Sequence, residues 1–176
     1  NSILMRIFFS LVLSFFLLPG VSQSNETIRF IDINYIVNNS NAGKSLNKII
    51  ENKNKTIDNE IKDIAKKLED KKKKIVSQKN ILKKEEFDKL VINYDKELKS
   101  FNNLRKKKKN DFNKFRIESS KKILDLLNPI IKNFLKNESI KILLQKEKII
   151  FADDELDITK EILELFNNKH KKIKFE

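Results

Sequence analysis

The stretch NILKKEEFDKL, residues 80–90, lies between two long helical patterns and therefore decides how the chain folds. Before it, apolar residues recur at steps of three, four or seven, which is the spacing of a coiled-coil seam. After it, a second apolar and aromatic pattern has similar spacing. Glu85 and Glu86 suit the first turn of a returning helix, because its N-terminal dipole favours negative charge. The sequence predicts an antiparallel helical hairpin with its tip near residues 80–85.

The predicted seam is thin and partly polar. In the first helix, Asn54, Lys71 and Gln78 occupy seam positions, and the apolar positions are Ile50, Ile57, Ile61, Ile64, Leu68, Ile75 and Leu82. In the second helix, Arg105 and Lys108 interrupt the pattern, whose apolar positions are Phe87, Leu90, Tyr94, Leu98, Phe101, Phe112, Phe115, Ile123 and Leu126. At 1.5 Å per residue, an arm of about forty residues reaches roughly 60 Å. Few globular enzymes devote half of their chain to such an arm.

Two basic runs lie on this predicted arm. The first basic run consists of Lys71, Lys72, Lys73 and Lys74, and the second consists of Arg105, Lys106, Lys107, Lys108 and Lys109. The formal net charge of +13 favours a polyanionic partner. The chain is also rich in Lys, Asn, Ile and Phe, which is the bias of an AT-rich genome. Each run is therefore either a binding site or a solvated face that has drifted toward lysine.

A reversal near Lys83 predicts which residues face each other. Paired positions then sum to about 166, as in a regular antiparallel coiled coil. Residues 105–109 lie opposite residues 57–61, where Asp58 and Glu60 neutralise part of the second run. The first run lies opposite residues 92–95, where Asp95 is the nearby acid. The first run is therefore expected to be nearer the tip and less well paired.

Strand-like segments flank the arm. Residues 26–37, ETIRFIDINYIV, have a β-branched and aromatic strand pattern, and residues 38–45 supply turn residues and a helix start near Lys44. Pro129 is expected to kink or end the returning helix. Both termini of the arm are therefore predicted to enter one small body.

Residues 138–169 have the pattern of a strand, a polar turn, a second strand, an acidic turn and a helix. The turn is placed at residues 145–148 and the second strand at residues 149–152. Asp157 or Thr159 is expected to cap the final helix. The inward side chains of that helix are predicted to be Ile162, Leu163, Leu165 and Phe166.

The composition offers few groups for catalysis. The chain has no Cys, which removes disulfides, thiolate metal sites and cysteine nucleophiles. Its one His, His170, lies in NNKHKKIKFE, which is predicted to be a frayed, solvated tail. The acidic group at residues 153–157 lacks the glycine of a calcium loop, and two glycines leave no phosphate-binding loop. We therefore predict no catalytic residues, no metal site and no cofactor.

The first residues have the features of a secretory signal peptide. Met5 and Arg6 open an apolar run at residues 7–18, which is followed by PGVSQS. The run is short for a permanent membrane-spanning helix, although an uncleaved anchor remains the alternative. Cleavage is expected after Ser22 or Ser24. A protein that is exported from the cytoplasm does not ordinarily meet the chromosome, which argues against a nucleic-acid partner.

Together these patterns predict an α+β fold that is mostly α, in which a long antiparallel coiled-coil hairpin projects from a small β body. The predicted parts are a signal peptide at residues 1–22, with cleavage between 22 and 24, an N-terminal strand of the body at 23–43, and the arm at 44–128. Residues 129–169 form the C-terminal part of the body, and residues 170–176 form a basic tail.

This arrangement resembles the Skp (OmpH-type) periplasmic chaperone family over nearly the whole chain after the signal peptide. The resemblance rests on RFIDINYIVNNSNAGKSLNKIIE at residues 29–51, the charged helical middle, the turn at residues 80–90 and IIFADDELDITKEILELFN at residues 149–167. Asp32, Gly43 and Lys44 match the family's first strand and helix start. Residues 157–159 match its Asp-Ile-Thr helix start.

The resemblance implies a prefoldin-like homotrimer, in which three helical hairpins hang from a shared β body around a cavity. It also implies an ATP-independent holdase that carries unfolded outer-membrane proteins across the periplasm, with contact to anionic lipid or lipopolysaccharide as a further expectation. No catalytic residues and no cofactor come with the family. The alternatives are a structural coiled-coil spacer of the envelope, or a basic nucleic-acid-binding protein if no signal peptide is present.

Both basic runs are candidates for client binding. We expect lysines to attract acidic client segments, while scattered Phe and Ile side chains supply weak apolar contacts. Because the first run is predicted to be nearer the tip and less well paired, we expect it to contribute more than the second.

Overall fold

The structure is a computed structural model that describes residues 27–175, so the predicted signal peptide lies outside the described residues. In chain order its elements are β1 (Thr27–Ile31), α1 (Ile33–Asn39), α2 (Asn41–Ser77), α3 (Lys84–Asn137), β2 (Ile140–Gln145) and α4 (Thr159–Lys169). Short 3-10 helices lie at Lys146–Lys148 and Asp154–Leu156. The predicted fold class is confirmed, since α2 and α3 form a long hairpin and both ends of the chain build a small body. Among the described residues, no helix combines the length and apolar character needed to cross a membrane.

The body is organised by a two-stranded parallel sheet. Ile28 pairs with Ile142 and Phe30 with Leu144, so the strands before and after the arm lie side by side. The arm is therefore the crossover that a parallel pair of strands requires. On the other edge of β1, the Ile158 amide N–H donates to the Phe30 carbonyl at 3.0 Å and joins the start of α4 to the sheet.

The main hydrophobic core lies at the base of the arm. Its most deeply buried apolar side chains come from β1, α1, α3 and α4, and they are Ile31, Ile36, Ile123, Leu127, Ile162 and Phe166. Burial of each side chain of this size contributes about 1.5–3 kcal/mol. The core thus fastens α3 to both terminal segments at the point where the arm begins.

The predicted strand at residues 26–37 is wrong in its second half. Only Thr27–Ile31 forms a strand, because Asp32 caps a short helix by accepting a hydrogen bond from the Tyr35 amide N–H at 2.7 Å. In this helix Ile36 is fully buried, and Ile33 and Val37 pack against the core from the same face. Tertiary burial at helical spacing has overridden the β preference of these side chains.

Helix α2 begins at Asn41 rather than near Lys44, with Ser40 as its N-cap. The buried Ser40 hydroxyl accepts a hydrogen bond from the Gly43 amide N–H at 3.0 Å. At Gly43, an added Cβ would lie 1.7 Å from the Val37 carbonyl oxygen at the end of α1. Glycine therefore permits the sharp α1–α2 junction. The hairpin reverses between Ser77, where α2 ends, and Lys84, where α3 begins, and Glu85 and Glu86 lie in the first turn of α3.

Helix α3 does not end at Pro129 but continues to Asn137. Proline removes one backbone donor and crowds the preceding turn, which costs about 3 kcal/mol in an ordinary helix interior. Leu127, Ile130 and Ile131 are buried on both sides of it, so the core holds the helix together there. The chain then turns into β2 at Ser139, which has a positive φ of 54°.

The C-terminal segment differs from its prediction in three places. Residues 149–152 form no strand, and Ile150 and Phe151 are almost fully exposed. The N-cap residue of α4 is Ile158, although Asp157 accepts a hydrogen bond from the Thr159 amide N–H at 2.9 Å. Ile162 and Phe166 point inward as predicted and Leu163 packs against the core, but Leu165 is exposed.

The basic tail is packed rather than frayed. Ile173 and Phe175 pack against the body core, and the Lys122 ammonium donates to the Lys174 carbonyl at 2.8 Å. The His170 ring lies 5.2 Å from the Phe166 ring, and its amide N–H ends α4 by donating to the Phe166 carbonyl. Packing of Ile173 and Phe175 therefore holds the tail against the body, although the tail also carries lysines.

The junction predicts a strong effect of Gly43→Ala. The new methyl group meets backbone atoms of Val37, which cannot rotate away, so we expect the free energy of unfolding to fall by about 1–3 kcal/mol. Urea unfolding followed by circular dichroism measures this change. Ser45→Ala, at an exposed position of the same helical turn, should change the stability by less than about 0.5 kcal/mol. Equal stabilities for the two variants would contradict the close approach.

Asp157 predicts a pH-dependent contribution to stability. Burial raises the pKa of Asp157, but hydrogen bonds from Thr159 and Lys146 outweigh burial and leave the pKa below its ordinary value. The contribution is therefore present above the ordinary pKa and is lost as the pH falls through the lowered one. Asp157→Asn should lose about 1 kcal/mol or less at neutral pH, and the difference from the unaltered protein should disappear in acid.

Thermal unfolding from pH 7 down to pH 2 checks this prediction. Asp153→Asn is the matched control, because the hydrogen bond that Asp153 accepts is a local one from the Glu155 amide N–H. A constant difference between the Asp157 variant and the unaltered protein at every pH would exclude the ionic contribution.

Candidate functional site

The arm keeps one register along its length. Lys71 pairs with Glu97, Lys108 pairs with Glu60, and the Lys53 ammonium lies 4.6 Å from the centre of the Phe115 ring. In all three contacts the two positions sum to 168. The antiparallel hairpin is confirmed, and its fold-back centre is Lys84 rather than the predicted Lys83.

The seam between the arm helices is thin, as predicted. Leu68 and Ile75 are buried near the tip and Phe115 near the base. Most of the other seam side chains are only half-buried, and they include Ile57, Ile61, Ile64, Leu98, Phe101, Leu104 and Phe112. Little apolar surface is therefore buried per turn, and polar contacts have to help hold the two helices together.

In the first basic run, two of the four lysines have acidic partners. Lys71 reaches across the hairpin to Glu97, and Lys73 pairs with Glu69 on the preceding turn at 2.8 Å. The hydrogen bond from Lys73 lowers the pKa of Glu69, and the same contact raises the pKa of Lys73. Lys72 and Lys74 are exposed and, within residues 27–175, have no ion pair.

In the second basic run, Lys108 is the member with an acidic partner. It is half-buried in the seam and pairs with Glu60, one of the two acids expected there. The remaining cations point to solvent without an ion pair in the described part of the chain, and they are Arg105, Lys106, Lys107 and Lys109.

These contacts correct the predicted difference between the runs. The first run is nearer the tip, but it is not the less well paired one. Its predicted acid, Asp95, is also wrong, because the register difference moves the partner to Glu97. In both runs one lysine belongs to the seam and other cations remain free for a partner. The pairing of these residues therefore gives no reason to rank the first run above the second.

The acidic residues of the body take structural roles. Asp157 accepts hydrogen bonds from Thr159 and Lys146, and the Thr159 hydroxyl in turn accepts the Asp32 amide N–H at 2.8 Å. Asp153 accepts the Glu155 amide N–H. Between residues 27 and 175, no group of three or more His, Asp or Glu side chains is arranged to hold a metal ion.

Comparison with known proteins points to one family. The family model described as "Outer membrane protein (OmpH-like)" matches residues 27–166. Among solved structures, the chain is similar to a candidate outer membrane chaperone (OmpH-like) from Caulobacter crescentus CB15, with a TM-score of 0.79 and 13% sequence identity. That match covers 85% of this chain and 89% of the other. No curated protein matches the sequence significantly.

The seam ion pairs predict a charge-swap effect. Lys71→Glu places a second carboxylate beside Glu97, so we expect the free energy of unfolding to fall by up to about 1 kcal/mol at low salt and by less at high salt. The double variant Lys71→Glu/Glu97→Lys should regain most of the loss. Urea unfolding at two salt concentrations measures both.

Lys72→Glu is the matched control, since Lys72 is the neighbouring lysine without an ion pair. If Lys72→Glu and Lys71→Glu have the same effect, or if the double variant regains nothing, Lys71 and Glu97 do not stabilise the hairpin.

Proposed function

The chain belongs to the OmpH-like outer membrane protein family, and we propose that it is an ATP-independent holdase of the periplasm. In this proposal the protein binds unfolded outer-membrane proteins between its basic arms and prevents their aggregation before membrane insertion. The observation that carries the proposal is the arm itself, which projects far beyond the body core and presents cations that its own acids leave unpaired. Export by the N-terminal signal peptide is part of the same proposal.

The chemistry of the arm supports weak and reversible binding. Exposed cations such as Lys72 and Lys107 attract acidic segments, and half-buried aromatic side chains such as Phe101 and Phe112 offer apolar contact. Each contact of this kind contributes at most about 1 kcal/mol, so stable capture requires many contacts at once. Folding of the client into the membrane would compete with these contacts and release it without a nucleotide.

The exposed apolar surface of the body supports a homotrimer. Ile150 and Phe151 are 105% and 92% exposed, and Ile28, Ile142 and Leu144 are also exposed around the small sheet. Several large apolar side chains exposed on one small body are costly in water and usually mark an interface. Further copies of this chain are the partners that the family resemblance implies, and three bodies in contact would place three arms around one cavity.

The tip of the arm supports contact with anionic lipid or lipopolysaccharide. Ile81 is 79% exposed and Val76 is exposed on the preceding turn. Lys79, Lys83 and Lys84 surround these side chains in the sequence. An apolar side chain among lysines suits a surface with negative headgroups over an apolar layer.

An aggregation assay tests the holdase proposal. A urea-unfolded outer-membrane β-barrel is diluted into the chain from Gln23 onward, without ATP, and light scattering is followed across a salt series. We expect suppressed aggregation that weakens as salt increases, because the cation contacts are screened. Absence of suppression at every salt concentration would contradict the proposal and favour a structural spacer of the envelope.

Charge-reversal variants identify the cations that matter. Because both runs have unpaired members, Lys72→Glu/Lys74→Glu and Lys106→Glu/Lys107→Glu should both weaken suppression several-fold at low salt. Lys160→Glu/Lys169→Glu, on the exposed face of α4, changes the net charge equally but lies on the body and should have little effect. An equal effect of all three variants would show that net charge, not the arm, determines capture.

A further inference from the structure

Two clefts lie in the groove between α2 and α3. The base cleft has a volume of about 520 Å³, and its apolar lining includes Ile49, Ile57, Phe112 and Phe115. The tip cleft has a volume of about 630 Å³, and its apolar lining includes Ile64, Leu68, Phe101 and Leu104. Each cleft contains at least one phenyl ring and is large enough for one aromatic or branched side chain of a partner.

Both clefts open on the same side of the arm. Lys53 borders the base cleft and Lys67 borders the tip cleft, two heptads further along α2. On α3, Glu97 and Asp111 are likewise two heptads apart and border the tip and base clefts. Residues that occupy the same heptad position lie on the same face of a coiled coil. One elongated partner can therefore reach both clefts.

The distance between the clefts matches an extended chain. A separation of 14 residues along α2, at 1.5 Å per residue, places them about 21 Å apart. An extended strand rises about 3.3 Å per residue, so it spans this distance in about six residues. Side chains an even number of positions apart point to the same face of a strand. Two apolar side chains six positions apart in an extended segment can therefore enter the groove together.

The charge beside the clefts defines the partner further. The charged residues that line the two clefts are five lysines and three acids, so the lining is net positive; they are Lys53, Lys67, Lys71, Lys96, Lys108, Glu60, Glu97 and Asp111. Lys107 follows Ser100, which borders the tip cleft, by one heptad, and it therefore lies on the cleft face between the two clefts. Since Lys107 has no acidic partner in residues 27–175, it is available to a carboxylate of the bound segment.

We propose that the two clefts bind one extended, acidic client segment through two aromatic or branched apolar side chains about six residues apart. This inference rests on the proposed holdase function and specifies which segments of a client the arm prefers. The segment lies along α2 and α3, with one apolar side chain in each cleft and a carboxylate near Lys107. Linking two weak contacts through one chain raises the affinity above that of either alone.

Labelled peptides test the spacing. Three short acidic peptides of equal length and charge carry one Phe, two Phe three positions apart, or two Phe six positions apart. Fluorescence anisotropy with the purified protein should give at least about fivefold tighter binding for the six-position peptide than for the single-Phe peptide. The three-position peptide should gain little, because it can fill only one cleft at a time.

A matched pair of variants tests whether the peptide binds at the tip cleft. Ser100→Phe adds a phenyl ring at the rim of the tip cleft and should remove the gain of the six-position peptide. Asn102→Phe adds the same ring two residues along the same helix, at an exposed position that does not line either cleft, and should keep the gain. Circular dichroism and melting temperature establish that both variants are folded.

The outcomes distinguish a failure of the two-cleft site from a failure of the proposed holdase function. A gain limited to the six-position peptide and lost only in Ser100→Phe supports the two-cleft site. Equal binding of both two-Phe peptides, or a gain that survives Ser100→Phe, overturns it even if the protein still suppresses β-barrel aggregation. Failure to suppress aggregation at all overturns the holdase function on which the site depends.

Discussion

The parallel pairing of β1 with β2 is the constraint on which the rest of the structure depends. Helices gain most of their stability from packing, and the arm has little of its own. Between Leu46 and Leu68, α2 buries no side chain completely, and α3 buries none before Phe115. The two strands, together with Ile123, Leu127 and Phe166, fix both ends of the hairpin at its base. The arm can therefore be long and thinly packed without separating.

Repetition explains why the arm was predictable. Its seam recurs over more than ten turns, so an isolated lysine or asparagine in the seam does not hide the pattern, and Glu85 and Glu86 mark where the second helix starts. The body has no such repetition. Ile33, Tyr35 and Ile36 carry strand-forming side chains, yet a single cap at Asp32 and the burial of Ile36 make them helical. Local pattern cannot reveal such burial, because much of the same core comes from α3 and α4, where Ile123 and Phe166 lie far away in the sequence.

The acids that face the two basic runs could be predicted only as accurately as the register between the two arm helices. A fold-back centre placed one residue early shifts every facing partner by two positions. The expected contact of the second basic run with Glu60 survives this shift, since the predicted window was five residues wide. The expected contact of the first run does not survive, since Glu97 lies two residues beyond Asp95. The clefts could not be found in the sequence, because they depend on which half-buried side chains of both helices leave space between them.

The basic runs combine two kinds of residue that composition alone cannot separate. Lys71 and Lys108 lie in the seam. Each pairs with a glutamate on the other helix, and in both pairs the two residue numbers sum to 168. Random drift of solvated positions toward lysine gives no reason for two half-buried lysines to face acids across the hairpin, so these two have a structural role. Their neighbours, such as Lys72 and Lys107, have no such partner. The two seam lysines therefore contribute to the register of the hairpin. The same short runs thus hold the arm together and leave charge exposed on it.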